Sequence, residues 1–213
     1  SKSMEMNDME KPDFLKNAMR NLSIPVITME KYGFDCPGVD ILFDYEKGGY
    51  MATRHLIECG HRRIGCVAGK QSFHVTMQRL NGYKKALEES GISYDPDLVY
   101  FGDYTMESGY EAFSYILGQK VTAIFSMNDE MAFGIYRAAR LYGVSIPEDI
   151  SIIGFDNVPF ADVMQVPLTT IGVPVIEMGK KLGEKVVELI DNKEKLKERE
   201  EILYTPRLLV RGS

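Results

Sequence analysis

The chain has 213 residues, 45% of them hydrophobic, which is enough to fill the core of one large domain or two small ones. Its 31 acidic residues outnumber its 25 basic residues, and the net charge of -6 argues against a surface built to bind nucleic-acid phosphates. No run approaches the roughly 18 apolar residues of a membrane span, and the acidic, polar start is unlike an export signal. These properties predict a globular cytoplasmic protein.

The predicted elements begin with a helix over residues 13–21 and strands over 24–29 and 39–43. From Gly48 onward, short β-branched runs alternate with helical stretches, which is typical of βαβ units around a parallel sheet. Strands are predicted over 64–68, 98–101, 123–126 and 151–155. Their almost continuous apolar character indicates strands that are covered on both faces.

Four predicted helices each end just before a glycine, the residue that most readily takes up the left-handed conformation at a helix C-terminus. They cover 48–59, 77–90, 106–117 and 129–142, and the glycines are Gly60, Gly91, Gly118 and Gly143. An amphipathic helix over 175–191, a charged helix end and loop over 192–201 and a short strand over 208–210 complete the chain. We therefore predict an α/β fold with doubly wound parallel sheets.

Three cysteines, Cys36, Cys59 and Cys66, occur without a CxxC pattern or a Cys/His ligand spacing. This usage predicts reduced thiols in a cytosolic protein and argues against a disulfide framework or a zinc site. Neither GxGxxG nor GxxxxGK[ST] is present, so we expect no nucleotide cofactor of those two kinds. We predict no cofactor and no metal.

Ligands of open parallel sheets bind beyond the carboxyl ends of the strands, so the residues after each predicted strand are candidate binding residues. These positions are occupied by polar and aromatic residues: Lys70, Gln71 and Ser72, with Arg79 shortly after, for the first strand, Asp103 and Tyr104 for the second, Asn128 and Asp129 for the third, and Asp156 and Asn157 for the fourth. Guanidinium, amide and carboxylate groups hydrogen-bond to vicinal hydroxyls, and an aromatic ring offers a flat apolar surface. The combination predicts a binding site for a sugar or a similar small molecule.

Each of these residues also has a purely structural interpretation. Asn128 or Asp129 could simply cap the following helix, Asp156 could form a turn, and Arg79 could pair with surface carboxylates. Tyr104 could be ordinary packing. Because all four lie after strand ends of the same sheet, their co-location favours a shared binding role.

Five segments carry a resemblance to a known protein family. They read FDYEKGGYMATRHLIECG followed by HRRIGCVAG from Phe43, QRLNGYKKAL from Gln78, SMNDEMAFGIYRAARLYGVSIPEDISIIGFDN from Ser126, and PLTTI from Pro167. Together, in this order and at this spacing, they resemble the effector-binding core of the lactose-repressor/galactose-repressor (LacI/GalR) regulators. The resemblance runs from about Ile24 to Arg211.

This resemblance implies a fold of the type I periplasmic-binding-protein kind, with two lobes, an effector between them and a homodimeric assembly. The effector is usually a sugar or another small metabolite. Carried over position by position, the effector-binding residues are Arg79, Asn128, Asp156, Tyr104 and Glu30, and we add Ser72 from its place after a strand. The segment after LTTI departs from the family, because Gly172 and Val173 stand where a polar side chain is common.

The resemblance also implies a division of the chain. Residues 1–43 and 175–202 correspond to part of the first lobe, and residues 44–174 and 203–213 to the second. The family's DNA-binding head does not precede Ser1, so we expect operator DNA to be bound through a head absent from this chain. A parallel sheet that lacks covering elements is unstable, so we expect residues 1–43 and the helix from Val175 to be mobile, rearranged or buried against a second chain.

Two other functions remain open at this stage. A periplasmic sugar-binding protein for transport or chemotaxis would have the same architecture. An enzyme on a doubly wound sheet is a further alternative, since fold does not dictate function. No nucleophile with a matching acid and base is visible, and the three histidines His55, His61 and His74 have no partners at a recognisable spacing. We therefore predict no enzymatic activity.

Overall fold

A computed structural model describes residues 26–29, 38–191 and 199–213. The predicted helix over 13–21, Glu30 and Cys36 lie outside these residues. The chain divides into two compact units, and each is built from two separate stretches. The first unit comprises Ser1–Asp44 and Pro174–Tyr204, and the second comprises Tyr45–Val173 and Thr205–Ser213. The assignment of residues 1–43 with 175–202 and of 44–174 with 203–213 to the lobes of a binding protein stays a prediction.

The first unit contains a parallel three-stranded sheet and one long helix among its described residues. The strands are β1 (Val26–Thr28), β2 (Gly38–Phe43) and β8 (Arg199–Tyr204), in the order β1-β2-β8, and the helix is α5 (Val175–Asp191). Asp40 on the central strand is 1% exposed and binds Arg199 Nε at 2.8 Å and the Thr28 hydroxyl. A buried carboxylate is stable only when paired in this way.

The second unit is built around a six-stranded sheet in the order β4-β3-β5-β6-β7-β9, in which only β9 runs antiparallel to its neighbour. Its strands are β3 (Ile64–Ala68), β4 (Val99–Phe101), β5 (Ala123–Ser126), β6 (Ser151–Asp156), β7 (Thr169–Gly172) and β9 (Arg207–Leu209). Every residue of β3 and β5 is buried, so both faces of the sheet are covered, as the apolar runs predicted.

Four helices belong to this second unit: α1 (Tyr45–Glu58), α2 (His74–Glu89), α3 (Met106–Gly118) and α4 (Asp129–Tyr142). Three of the predicted helix ends at a glycine are confirmed. Gly60, Gly91 and Gly143 take the left-handed conformation, with φ of 97°, 68° and 68°. The prediction for Gly118 is wrong. It is the last residue of α3, and Lys120 takes the left-handed conformation instead, with φ of 57°.

Two strands went unpredicted because their stability comes from pairing and not from composition. Residues 199–201 were predicted as the end of a charged loop, but they begin β8, whose six residues pair in register with β2. Residues 169–172 form β7 between β6 and β9. A neighbouring strand supplies the hydrogen bonds that a weak local β preference does not.

Reciprocal glycines bring the helices of the second unit together in pairs. A Cβ on Gly109 of α3 would lie 2.1 Å from the carbonyl oxygen of Met131, and one on Gly134 of α4 would lie 1.9 Å from that of Met106. In the same way, Gly49 of α1 and Gly82 of α2 each lie directly against the backbone of the other helix. The helix backbones therefore touch, and no larger residue fits without moving them.

We predict that Gly134→Ala destabilises the protein by about 1–3 kcal/mol, because the added methyl group meets a backbone carbonyl that cannot yield without moving a helix. Gly118→Ala is the matched control, since its Cβ would meet nothing within 4 Å. The control should be neutral or stabilising by up to about 1 kcal/mol through helix propensity. Urea unfolding of both variants tests this, and equal midpoints would contradict it.

Candidate effector site

Arg79 on α2 crosses the carboxyl ends of the central strands and joins two of the loops that follow them. Its side chain donates from Nη2 to Asp156 Oδ1 at 3.2 Å and from Nη1 to the carbonyl oxygen of Met127. Arg79 is only 5% exposed, so the interpretation as a surface ion pair does not hold. The structure brings Arg79 and Asp156 together, as expected if both belong to one binding site.

Aromatic rings surround the guanidinium of Arg79. Its central carbon lies 3.8 Å from the ring centroid of Phe155, 5.0 Å from that of Tyr45 and 5.9 Å from that of Tyr104. A planar cation is stabilised against such ring faces. We call these five residues, Arg79, Asp156, Phe155, Tyr45 and Tyr104, the arginine site.

Two polar atoms of the arginine site, Arg79 Nε and Asp156 Oδ2, have no hydrogen-bond partner among the described residues. Among the described residues, Arg79 Nε is buried and has no hydrogen-bond partner. Asp156 uses Oδ1 for Arg79, while its side chain stays 35% exposed. A buried donor without a partner costs roughly 1–3 kcal/mol of stability.

The loop that carries Asp156 has an unusual backbone. Asp156 and Asn157 have φ of 106° and 57°, a region that residues other than glycine seldom adopt. Burial raises the pKa of Asp156, and the neighbouring Arg79 opposes that shift. Asn157 Oδ1 accepts a hydrogen bond from Arg211 Nη2 at 2.7 Å, which anchors the loop to the end of the chain.

Tyr104 is held in one position by contacts on all sides. Its hydroxyl lies 2.7 Å from Thr76 Oγ1, and its ring stacks on Phe73 with centroids 6.2 Å apart. A Cβ on Gly69 would lie 2.0 Å from the ring, so this position requires glycine. Burial raises the pKa of Tyr104, which keeps the phenol protonated. These contacts define the orientation of the ring.

Asn128 has a clear structural role. Its Oδ1 accepts from the Met131 N–H at 2.9 Å and caps α4, while its Nδ2 donates to the Tyr104 carbonyl oxygen at 2.9 Å. The capping interpretation is thus correct, and the contact with an effector stays a prediction. Ser72 is exposed in a turn, and its hydroxyl makes no hydrogen bond with any described residue.

Sequence reasoning noted Asp129 directly after a strand but did not include it among the effector-binding residues, and it missed Tyr45 and Phe155. The side chain of Asp129 is fully buried and accepts from the Val158 N–H at 2.9 Å and the Thr170 hydroxyl at 2.6 Å. Burial raises the pKa of this carboxyl to about 6. The usable signal was its place directly after a strand, which we assigned to capping by Asn128 or Asp129.

The arginine site is suited to binding a polar, uncharged molecule, because its cation is already matched by a carboxylate. In the part of the chain that the structure describes, no group of three or more His, Cys, Asp or Glu side chains could hold a metal ion. No described helix is long and apolar enough to cross a membrane.

We predict that Asp129 makes stability fall as pH rises from about 4 to about 6. Its folded pKa of about 6 lies above the ordinary carboxyl value, so the folded state binds more protons in this interval. Asp129→Asn removes this titration. Wild type should therefore lose up to about 3 kcal/mol relative to the variant between pH 4 and pH 7, measured by urea unfolding.

Asp103→Asn is the control, because Asp103 should change stability with pH in the opposite direction. The Thr105 hydroxyl donates to Asp103 at 2.6 Å and lowers the pKa of that carboxyl, so its stabilising effect is lost as pH falls. A stability difference between wild type and Asp129→Asn that does not change with pH would contradict the prediction.

Comparison with known proteins places these observations in a family context. Residues 53–213 match the family described as periplasmic binding protein-like domain. The HTH-type transcriptional repressor PurR of Photobacterium profundum is 37% identical over 204 residues, which cover 94% of this chain and 60% of that protein. The chain thus spans about 60% of the length of this curated relative.

Two solved structures of regulators are also similar. One is a LacI family transcriptional regulator from Enterococcus faecium with bound ribose, at 33% identity and a TM-score of 0.81, covering 89% of this chain and 69% of that one. The other is the transcriptional regulator CelR in complex with cellobiose, at 27% identity and a TM-score of 0.78, covering 97% of this chain and 69% of that one.

Proposed function

The chain belongs to the family of periplasmic binding protein-like domains, in the form found in LacI/GalR regulators, and we propose that it senses a sugar effector for a bacterial transcription regulator. Effector binding would change the operator affinity of the complete protein. That protein would bind DNA through a head outside this chain, act as a homodimer and work in the cytoplasm. The two compact units would correspond to the two lobes of the effector-binding region.

The observation that carries this proposal is the incomplete hydrogen bonding of the buried Arg79–Asp156 pair. Arg79 Nε is a donor without a partner, and no hydrogen bond to Asp156 Oδ2 occurs within the described residues. Arginine only donates hydrogen bonds and aspartate only accepts them. Together they can therefore bind a sugar hydroxyl both as an acceptor and as a donor. Tyr104 would lie against the apolar face of the ring.

We also propose effector contacts for Asn128, Ser72 and Glu30. Asn128 keeps hydrogen-bonding capacity beyond its two protein bonds, and Ser72 has an exposed hydroxyl on the loop after β3. Glu30 is proposed from the family resemblance alone, since it lies outside the described residues. The ribose and cellobiose of the two similar structures support a sugar as the ligand class.

The comparisons favour a regulator over the two alternative functions. The relative and the two structures described above are transcription regulators, whereas a transport protein of the same architecture would be expected to resemble transport proteins first. For the enzyme alternative, no observation in the described residues supplies a catalytic set.

We predict that Asp156→Asn weakens sugar binding by roughly ten- to hundredfold, because the amide loses the charged acceptor while keeping the shape of the side chain. Asparagine also tolerates the left-handed backbone at this position. Isothermal titration calorimetry with ribose, cellobiose and a panel of other mono- and disaccharides measures the affinity. The loss of the charge that matches the buried Arg79 should also lower the thermal stability, so the titration is run at a temperature at which circular dichroism shows the variant to be folded.

Glu58→Gln is the matched control, since it removes the carboxylate of an exposed pair with Arg54 at the far end of α1. Its affinity should equal that of wild type. If both variants bind alike, the site has been assigned to the wrong residues. If wild type binds none of the panel, a sugar is the wrong ligand class.

A further inference from the structure

The buried carboxylate of Asp129 binds the loop that carries Asp156. Asp129 is the first residue of α4 and is fully buried. Its Oδ2 accepts a hydrogen bond from the Val158 N–H at 2.9 Å, two residues beyond Asp156, and its Oδ1 accepts one from the Thr170 hydroxyl of β7 at 2.6 Å. A Cβ on Gly154 would collide with Oδ1, so the carboxylate also lies directly against β6. One side chain thus joins α4 to β6, to the loop that follows β6 and to β7.

This loop needs such an anchor because its backbone is strained. Asp156 and Asn157 have φ of 106° and 57°, and a segment left free would relax to a more favourable conformation. That relaxation would move the Asp156 carboxylate away from a bound ligand. The Val158 N–H is held by Asp129, and the side chain of Asn157 is held by Arg211.

The charge of Asp129 contributes to this anchor beyond the shape of the side chain. A neutral carboxyl or amide of the same size can still contact Val158 and Thr170, but hydrogen bonds to an ionised acceptor are roughly twice as strong. We propose that ionised Asp129 is a positioning residue of the effector site and makes effector affinity depend on pH. The proposal rests on the proposed function, because it concerns a loop of the same site.

Other ionisable groups face Asp129 from its own helix and from the elements packed against it. Asp156 follows β6 and is bound by Arg79 of α2, and Arg211 near the chain end binds the same loop. Burial raises the pKa of Asp129 to about 6, and the charge of Asp156 adds to that rise. Burial also raises the pKa of Tyr136 on α4 to about 12, so this phenol stays neutral near pH 6.

Effector affinity should therefore fall as pH falls from 7 to 5. Asp129 is mostly ionised at pH 7, whereas about one molecule in ten has it ionised at pH 5. Burial raises the pKa of Asp156 as well, so protonation of Asp156 acts in the same direction. A variant that removes only the titration of Asp129 separates the two contributions.

Asp129→Asn provides this separation, because the amide keeps the size of the side chain and stays neutral. Isothermal titration calorimetry with ribose, cellobiose and the other sugars is run at pH 7 and pH 5, with circular dichroism to confirm folding. Wild-type affinity should fall about fivefold more than that of Asp129→Asn between these two values. Glu130→Gln is the matched control, since it removes an exposed carboxylate from the same helical turn and should behave as wild type does.

The backbone amide of Val158 reports on the loop without any ligand. Because its N–H donates to Asp129, its proton chemical shift should change with a midpoint near pH 6 in NMR spectra of the whole chain. Asp129→Asn should lose this step. Thr170→Val should move the midpoint to higher pH, because it removes a hydrogen bond that lowers the pKa of Asp129. The pH dependence of effector affinity should move with it.

Either of two results would overturn the proposal. One is a Val158 signal that shows no step near pH 6 in wild type. The other is an equal pH dependence of affinity in wild type and Asp129→Asn. If wild type binds no sugar at either pH, the proposed function fails, and the Val158 signal alone then decides whether Asp129 positions the loop.

Discussion

A guanidinium buried at the carboxyl ends of a parallel sheet is the constraint on which the candidate site depends. Removing Arg79 from water is costly unless its donors are matched, and it obtains the Asp156 carboxylate, the Met127 carbonyl oxygen and the face of Phe155. Asp156 reaches Arg79 from a backbone with positive φ, so the loop that carries it has to be held in place. The requirement to satisfy one charge thus determines the geometry of the surrounding loops.

Asp129 and Arg211 supply that support from two different elements. Asp129, at the start of α4, binds the N–H of Val158 and the hydroxyl of Thr170, which joins the loop after β6 to strand β7. Arg211 binds the side chain of Asn157 and the Leu168 carbonyl oxygen. The buried Asp129 carboxylate and Arg211 therefore hold the strained loop that carries the proposed ligand contact.

The two units differ in how completely their apolar surfaces are covered. In the second unit, helix pairs that touch through glycine backbones bury every residue of β3 and β5. In the first unit, α5 buries Met178 and Leu189, whereas Val175, Ile176, Val186, Val187 and Ile190 are exposed. Among the described residues, the apolar side chains of the second unit's central strands are therefore more completely buried than those of α5.

The sequence alone determined the features that depend on local chemistry. Apolar runs identified four of the parallel strands of the second unit, β3 to β6, glycines marked the ends of three helices, and the polar residues after the strands included Arg79 and Asp156. These succeed because left-handed glycines and buried strands depend on few neighbours. Other features required the tertiary structure. Phe155 looked like ordinary core until Arg79 was placed on its ring, and Asp129 was indistinguishable from a helix cap until its burial was known. Strand β8 forms from charged residues only because β2 lies beside it. In each case the deciding interaction joins residues far apart in sequence, and no local pattern records which distant groups will meet.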